Sequence, residues 1–157
     1  MVQTVIVSRH CDRTPISSSV IPVDPVNWKR KLGLSPGQLT GLGISQCSTM
    51  GSFLRERYLN PQSEFYISGI TNYFDSDLFK FRATSVDRTI ISLNSVAFGL
   101  FPNHTGLIND ITHTESLIDG VTVIPIHTVE SANDILLRGY DKCPAINDKK
   151  TALVNSA

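Results

Sequence analysis

Arg9, His10 and Arg13 stand together in the heptad Arg9-His10-Cys11-Asp12-Arg13-Thr14-Pro15, and a further arginine, Arg82, closes the run Leu78-Phe79-Lys80-Phe81-Arg82. An imidazole can act as a nucleophile or pass a proton without help from a cofactor. Two guanidinium groups flanking it repel one another unless an anion lies between them, and the planar guanidinium fork matches phosphate oxygens. These residue types at this spacing point to phosphoryl chemistry. His10 is placed to attack phosphorus or to donate a proton to a phosphate oxygen.

The elements that must position these groups can be read in order. The heptad follows an apolar run, Val2 to Val7, that reads as a buried β-strand. His10 then lies just past a strand's C-terminal end, where open α/β sheets bind their ligands. Ser17 to about Leu34 reads as a long irregular stretch, and its basic run Lys29-Arg30-Lys31 as a solvated face that could also steer an anion. Thr40 suits an N-cap, and Cys47, Met50, Leu54 and Tyr58 recur at helical spacing, predicting a helix from about Gly41 to Leu59. Phe65 to Ser68 is short and β-prone, and Leu78 to Arg82 reads as a second strand. Thr84 or Ser85 would cap a second helix, with Val86, Ile90, Leu93, Ala97 and Leu100 on one face and Pro102 as its stop. Arg82 therefore falls at a strand end before a helix N-terminus, whose free N–H groups and partial positive charge favour an anion. With the two strands parallel and adjacent, Arg9, Arg13 and Arg82 converge on one point. Residues 103–120 read as loop, with His104 and His113 at the surface. Val121 to Ile126 reads as a third strand that Pro125 marks as an edge or an end.

Composition excludes several classes. Of 157 residues, 41% are hydrophobic and 18% charged, with formal net charge +0, which suits one globular domain and gives no footprint for nucleic acid. No apolar run approaches the roughly 20 residues that a membrane span needs. Three cysteines, Cys11, Cys47 and Cys143, are an odd number without Cys-x-x-Cys spacing, which argues against zinc and against a self-contained disulfide framework. No cofactor or metal is implied. Met1 leads straight into the first apolar run, so no signal peptide is read.

Arg-His-x-x-Arg-x-Pro after an N-terminal strand resembles the signature of the histidine acid phosphatases. Three further segments are similar to that family in order and separation. One is Gly37-Gln38-Leu39-Thr40 through Gln46 and Leu54-Arg55-Glu56-Arg57-Tyr58, although the family usually has proline where Gly41 stands. The second is Phe81-Arg82-Ala83-Thr84-Ser85-Val86-Asp87-Arg88-Thr89 with Leu100-Phe101-Pro102. The third is Pro125-Ile126-His127-Thr128-Val129 with Asp134-Ile135-Leu136-Leu137 and Cys143-Pro144. The resemblance implies His10 as nucleophile and Arg9, Arg13 and Arg82 as phosphate ligands. It gives Arg88 a structural pairing with Asp87 or another carboxylate, and His127 a structural, hydrogen-bonded role.

The fold so implied is α/β, a mainly parallel sheet flanked by helices in a phosphoglycerate mutase-like three-layer sandwich. It is expected to be incomplete, lacking the helical insertion and C-terminal strands. Residues 1–146 are read as the N-terminal part of a histidine phosphatase domain and 147–157 as a polar, poorly ordered tail. The implied function is hydrolysis of phosphate monoesters at acidic pH through a phosphohistidine, with a small phosphate ester or inorganic phosphate as partner. Members of the family are commonly secreted, lysosomal or membrane-anchored. The chain departs from the pattern in having Cys11 where the family usually has glycine. It also contains no His-Asp dipeptide, the source of the family's general acid. The alternative reading is accordingly a truncated, non-catalytic phosphate-binding fragment or pseudoenzyme. A cysteine phosphatase loop is excluded, because Ser17 stands where that loop needs arginine. The phosphoglycerate mutase branch ranks well behind, since it lacks the Arg-x-Pro continuation.

Overall fold

The computed structural model describes residues 3–16 and 33–156. The long stretch with Lys29, Arg30 and Lys31 lies outside the described residues. The elements run α1 (Gly41–Tyr58), β1 (Phe81–Thr84), α2 (Asp87–Leu100), β2 (Ile126–Val129), α3 (Ile135–Lys142) and α4 (Pro144–Asn155), with a short 3₁₀ turn at Ile118–Gly120. This is the α/β class expected, built on a parallel β1–β2 pair in which Arg82 stands opposite His127 and Thr84 opposite Val129.

Helix α1 begins where its cap chemistry places it. Thr40 is extended, and its hydroxyl accepts the Gly43 amide, one of the donors that a helix start leaves free. Its buried face is narrow and made of small residues, Gly43, Cys47 and Gly51. The reason is close backbone contact with α2: a Cβ on Gly51 would lie 2.0 Å from the Val96 carbonyl oxygen, and one on Gly99 2.0 Å from that of Ser48. Arg55 ties the far ends together, donating from Nη1 to the carbonyls of Leu100 (2.9 Å) and Asn72 (3.0 Å). Helix α2 leads into the core, where Leu59, Leu100 and Phe101 are buried against Leu54, Phe74, Phe79, Phe81 and Ile124. Phe101 meets Phe79 edge-on with ring centroids 4.9 Å apart, the geometry that aromatic quadrupoles favour.

Several expected elements form differently. Residues 3–10 join no ladder, and Val5 and Val7 are 75% and 79% exposed. A strand needs a neighbour to take its backbone groups, and among the described residues β1 and β2 pair only with each other. The second strand starts at Phe81 rather than Leu78, because the amides of Leu78 and Phe79 are already bonded to the Asp75 carbonyl in a turn. The third is Ile126–Val129 rather than Val121–Ile126. Pro125 has no N–H to give a ladder, and Gly120 and Thr122 bond back to Gly106 and Thr105 instead. Phe65 to Ser68 forms turns. Neither Thr84 nor Ser85 caps α2. Val86 holds that position without a side-chain bond, while the Thr89 hydroxyl donates back toward the Thr84 and Val86 carbonyls. The expected polar tail is helical from Pro144 to Asn155, with proline at its start where its missing N–H costs nothing and none of its residues buried. Among the described residues no helix is long and apolar enough to cross a membrane.

Candidate active site

The heptad is held by its second half. The Thr14 amide donates to the Gln38 carbonyl (2.9 Å), and the Thr14 hydroxyl donates to the Ser35 carbonyl (2.7 Å) and accepts the Gln38 amide (3.1 Å). Arg13 and Leu39 form an antiparallel bridge around this anchor. Asp12 is fixed to the start of α1 by three bonds. Its amide donates to Gln46 Oε1 (3.1 Å), its carbonyl accepts the Thr40 amide (3.1 Å), and its Oδ2 accepts the Thr40 hydroxyl (2.6 Å). Gly43 is what allows this approach, since a Cβ there would lie 2.1 Å from the Asp12 carbonyl oxygen. The Cys11 amide donates to Ser92 Oγ on α2 (3.2 Å), and the Cys11 sulfur is bonded to that of Cys47 on α1. This disulfide corrects the expectation that three cysteines form no framework. Two of them pair and Cys143 stays free.

His10 is half-buried on this platform. Its Nδ1 lies 2.8 Å from the Cys11 carbonyl, which can only accept, so Nδ1 carries the proton. Arg13 Nε–H points at Nε2 from 3.3 Å, which requires a lone pair there. The two partners thus select one neutral tautomer, with Nε2 unprotonated and facing a cation. Arg13 is itself held by a 2.7 Å bond from Nη1 to the Thr14 carbonyl.

Of the four candidate residues, His10 and Arg13 are in direct hydrogen-bond contact, and among the described residues Arg9 and Arg82 make no bond to either. Arg9 is exposed and makes no side-chain bond among the described residues. Arg82 turns to Asp134, donating from Nη2 to Oδ1 at 2.7 Å, and makes no bond to the heptad among the described residues. Convergence of three arginines presumes that residues 2–7 and β1 pair side by side, and among the described residues no such ladder forms. Asp134 is fully buried. Its Oδ1 also accepts the Leu137 amide at 3.1 Å, capping α3, while Oδ2 has no partner among the described residues. In the sequence Asp134 stands out only as part of a segment similar to the family. Its spacing from Arg82 gives no signal, because the contact spans 52 residues.

Two supporting assignments change. Arg88 forms no ion pair among the described residues and its buried Nε has no partner. Asp87 adjoins it in sequence, and adjacent helix residues point in different directions. His127 is exposed and makes no side-chain hydrogen bond among the described residues. His104 is at the surface as expected, its Nδ1 2.6 Å from Glu115 Oε1. That carboxylate raises the imidazole pKa above the usual value, first through the hydrogen bond and then through its charge. A cavity of about 620 Å³ is lined by Ala132, Asn133, Ile135, Gly139 and Cys143. It contains none of the four candidate residues and offers no cation to a phosphate.

Comparison with known proteins decides the family. The model of the histidine phosphatase superfamily (branch 2) matches residues 1–156. The chain belongs to that family. It is 30% identical over 156 residues to human prostatic acid phosphatase, covering 96% of this chain and 35% of that protein. It is 34% identical over 161 residues to human testicular acid phosphatase (94% of the chain, 31% of that protein), and 35% identical over 156 residues to the mouse testicular enzyme (91% and 30%). The chain thus spans about a third of the length of these curated relatives. It accounts for the heptad and for the α/β arrangement around it in this member of the histidine phosphatases.

Proposed function

We propose that the protein acts as a histidine phosphatase on phosphate monoesters, with His10 as nucleophile and Arg9, Arg13 and Arg82 as phosphate ligands. The observation that carries this reading is the tautomer of His10. With the proton held on Nδ1 by the Cys11 carbonyl, Nε2 presents its lone pair toward the group that would bind the phosphate, Arg13. Membership of a family whose relatives are named acid phosphatases supports it.

In the proposed reaction, Nε2 attacks phosphorus in line with the ester oxygen. The N–P bond forms as the P–O bond breaks, leaving a phosphohistidine and an alkoxide or phenolate that takes its proton from solvent water. The hydrogen bond that Arg13 Nε–H makes to Nε2 shifts to a phosphoryl oxygen, the proton staying on nitrogen, and the guanidinium offsets charge as it moves to the leaving group. Arg82 has five N–H donors, and the bond to Asp134 uses one. The rest of the fork is left to an anion while Asp134 fixes its direction. Water then attacks the phosphohistidine, releasing inorganic phosphate and restoring the neutral imidazole. Nε2 must stay unprotonated for this cycle.

The test is hydrolysis of an activated aryl phosphate at about pH 5, beside His10→Ala. An aryl leaving group departs with little protonation, so the assay reads the nucleophile and its arginines alone. Turnover that disappears in His10→Ala is expected. Equal turnover in the two proteins would overturn the assignment.

A further inference from the structure

The Cys11–Cys47 bridge joins the residue that follows His10 to the buried face of α1, at a sequence separation of 36. Its place is singular in two ways. The family pattern usually has glycine at position 11, so the bridge belongs to this chain rather than to the motif. It is also the covalent fixed point nearest the imidazole. On the N-terminal side residues 3–10 join no ladder, and among the described residues the only hydrogen bond that the Cys11 carbonyl accepts comes from the His10 ring itself.

We propose that this disulfide is a redox-controlled tether of the phosphate loop, with the oxidised state competent for phosphate and the reduced state impaired. The proposal rests on the reading of the His10 loop as a phosphate site. The partner is a dithiol reductant. Cys11 is half-buried and Cys47 is 1% exposed, so a thiolate reaches the bridge from the Cys11 side. Attack on Cys11 Sγ forms a mixed disulfide and releases the Cys47 thiolate. The second thiol of the reductant then closes its own ring and releases Cys11. Two electrons and two protons pass to the protein, and the dithiol leaves as a cyclic disulfide.

Reduction frees the backbone at Cys11, whose carbonyl sets the His10 tautomer. The hydrogen bonds to Ser92 and Gln46 then hold the segment without a covalent stop. A displacement of about an ångström at a catalytic group costs on the order of 10-fold to 100-fold, and that is the loss of phosphate affinity expected.

The experiment titrates inorganic phosphate into the protein in two states, oxidised and reduced with dithiothreitol, with amide hydrogen exchange over residues 10–14 followed in both. Expected on reduction are weaker phosphate binding and faster exchange at Cys11 and Asp12, both reversed by oxidised glutathione. Cys47→Ser should behave as the reduced protein and ignore the reductant. Should that variant fail to fold, the two states of the unaltered protein still decide. Equal phosphate affinity in both states would overturn the proposal, as would three titratable thiols under oxidising conditions. Exchange that responds to reduction in a protein that binds phosphate in neither state would sink the redox control together with the phosphate reading. Binding that is present but indifferent to redox state sinks the control alone.

Discussion

Replacing Gly43 by alanine should damage the candidate site while improving the helix that carries it. Gly43 lies in the first turn of α1, and a Cβ there would sit 2.1 Å from the Asp12 carbonyl oxygen and 3.0 Å from the Asp12 amide nitrogen. Both neighbours are backbone, so no side chain can swing aside. Relief needs the loop to retreat by roughly 1 Å, and a misplacement of that size can cost about 100-fold in rate. On the helix side alanine gains about 0.5–1 kcal/mol over glycine, whereas overpacking costs about 1–3 kcal/mol. The expected change in stability is therefore modest, between about zero and about 2.5 kcal/mol destabilising. The expected loss of phosphate binding and aryl phosphate turnover is large. Gly41→Ala is the control, since nothing lies within 4 Å of its Cβ position. It should leave phosphate binding unchanged and raise thermal stability slightly. The assay is phosphate titration by calorimetry beside thermal unfolding for both variants. Wild-type phosphate affinity in a folded Gly43→Ala protein would refute the reasoning that Asp12 and its contact with α1 position the loop.

Three further outcomes are expected. Asp134→Asn should weaken phosphate binding and cost about 1–3 kcal/mol, the Arg82 end being discounted for its 36% exposed side chain. The loss in phosphate binding should vanish in an Arg82→Ala background, and persistence there would show that Asp134 does not act through Arg82. Phe101→Ala should destabilise by about 3–5 kcal/mol in denaturant unfolding, since Phe101 is 2% exposed and central to the aromatic cluster. A loss below about 1 kcal/mol would mean that the cluster is not the core. His104 should titrate above the ordinary imidazole value because Glu115 favours its charged form. A pKa raised on folding stabilises fully below the unfolded value of about 6.5 and is lost as pH rises through the folded one. Glu115→Gln should return the His104 resonance to the ordinary value, and an unchanged titration would rule the pair out.

What the sequence made legible is local. Thr40 and the apolar spacing after it announce α1 to within a residue at its C-terminal end, and Pro102 stops α2 as expected. His10 and Arg13 lie three residues apart, so their contact follows from the loop itself. The losses are non-local. The apolar run before the heptad has strand composition, yet a strand exists only with a neighbour, and composition does not name one. Asp134 reaches Arg82 across 52 residues, and Cys11 reaches Cys47 across 36. Neither distance leaves a mark in spacing. An odd cysteine count said nothing about which two would meet, because the meeting depends on Gly43 letting the loop settle on α1.

The central claim is a covalent intermediate on His10. The most direct measurement is to quench turnover of an activated aryl phosphate under conditions that preserve phosphohistidine, digest the protein, and locate the phosphoryl group by mass spectrometry. One phosphoryl group is expected on the peptide containing Arg9 to Arg13, carried by His10 and absent from His10→Ala. A phosphoryl group on another residue, or turnover that continues in His10→Ala, would contradict it.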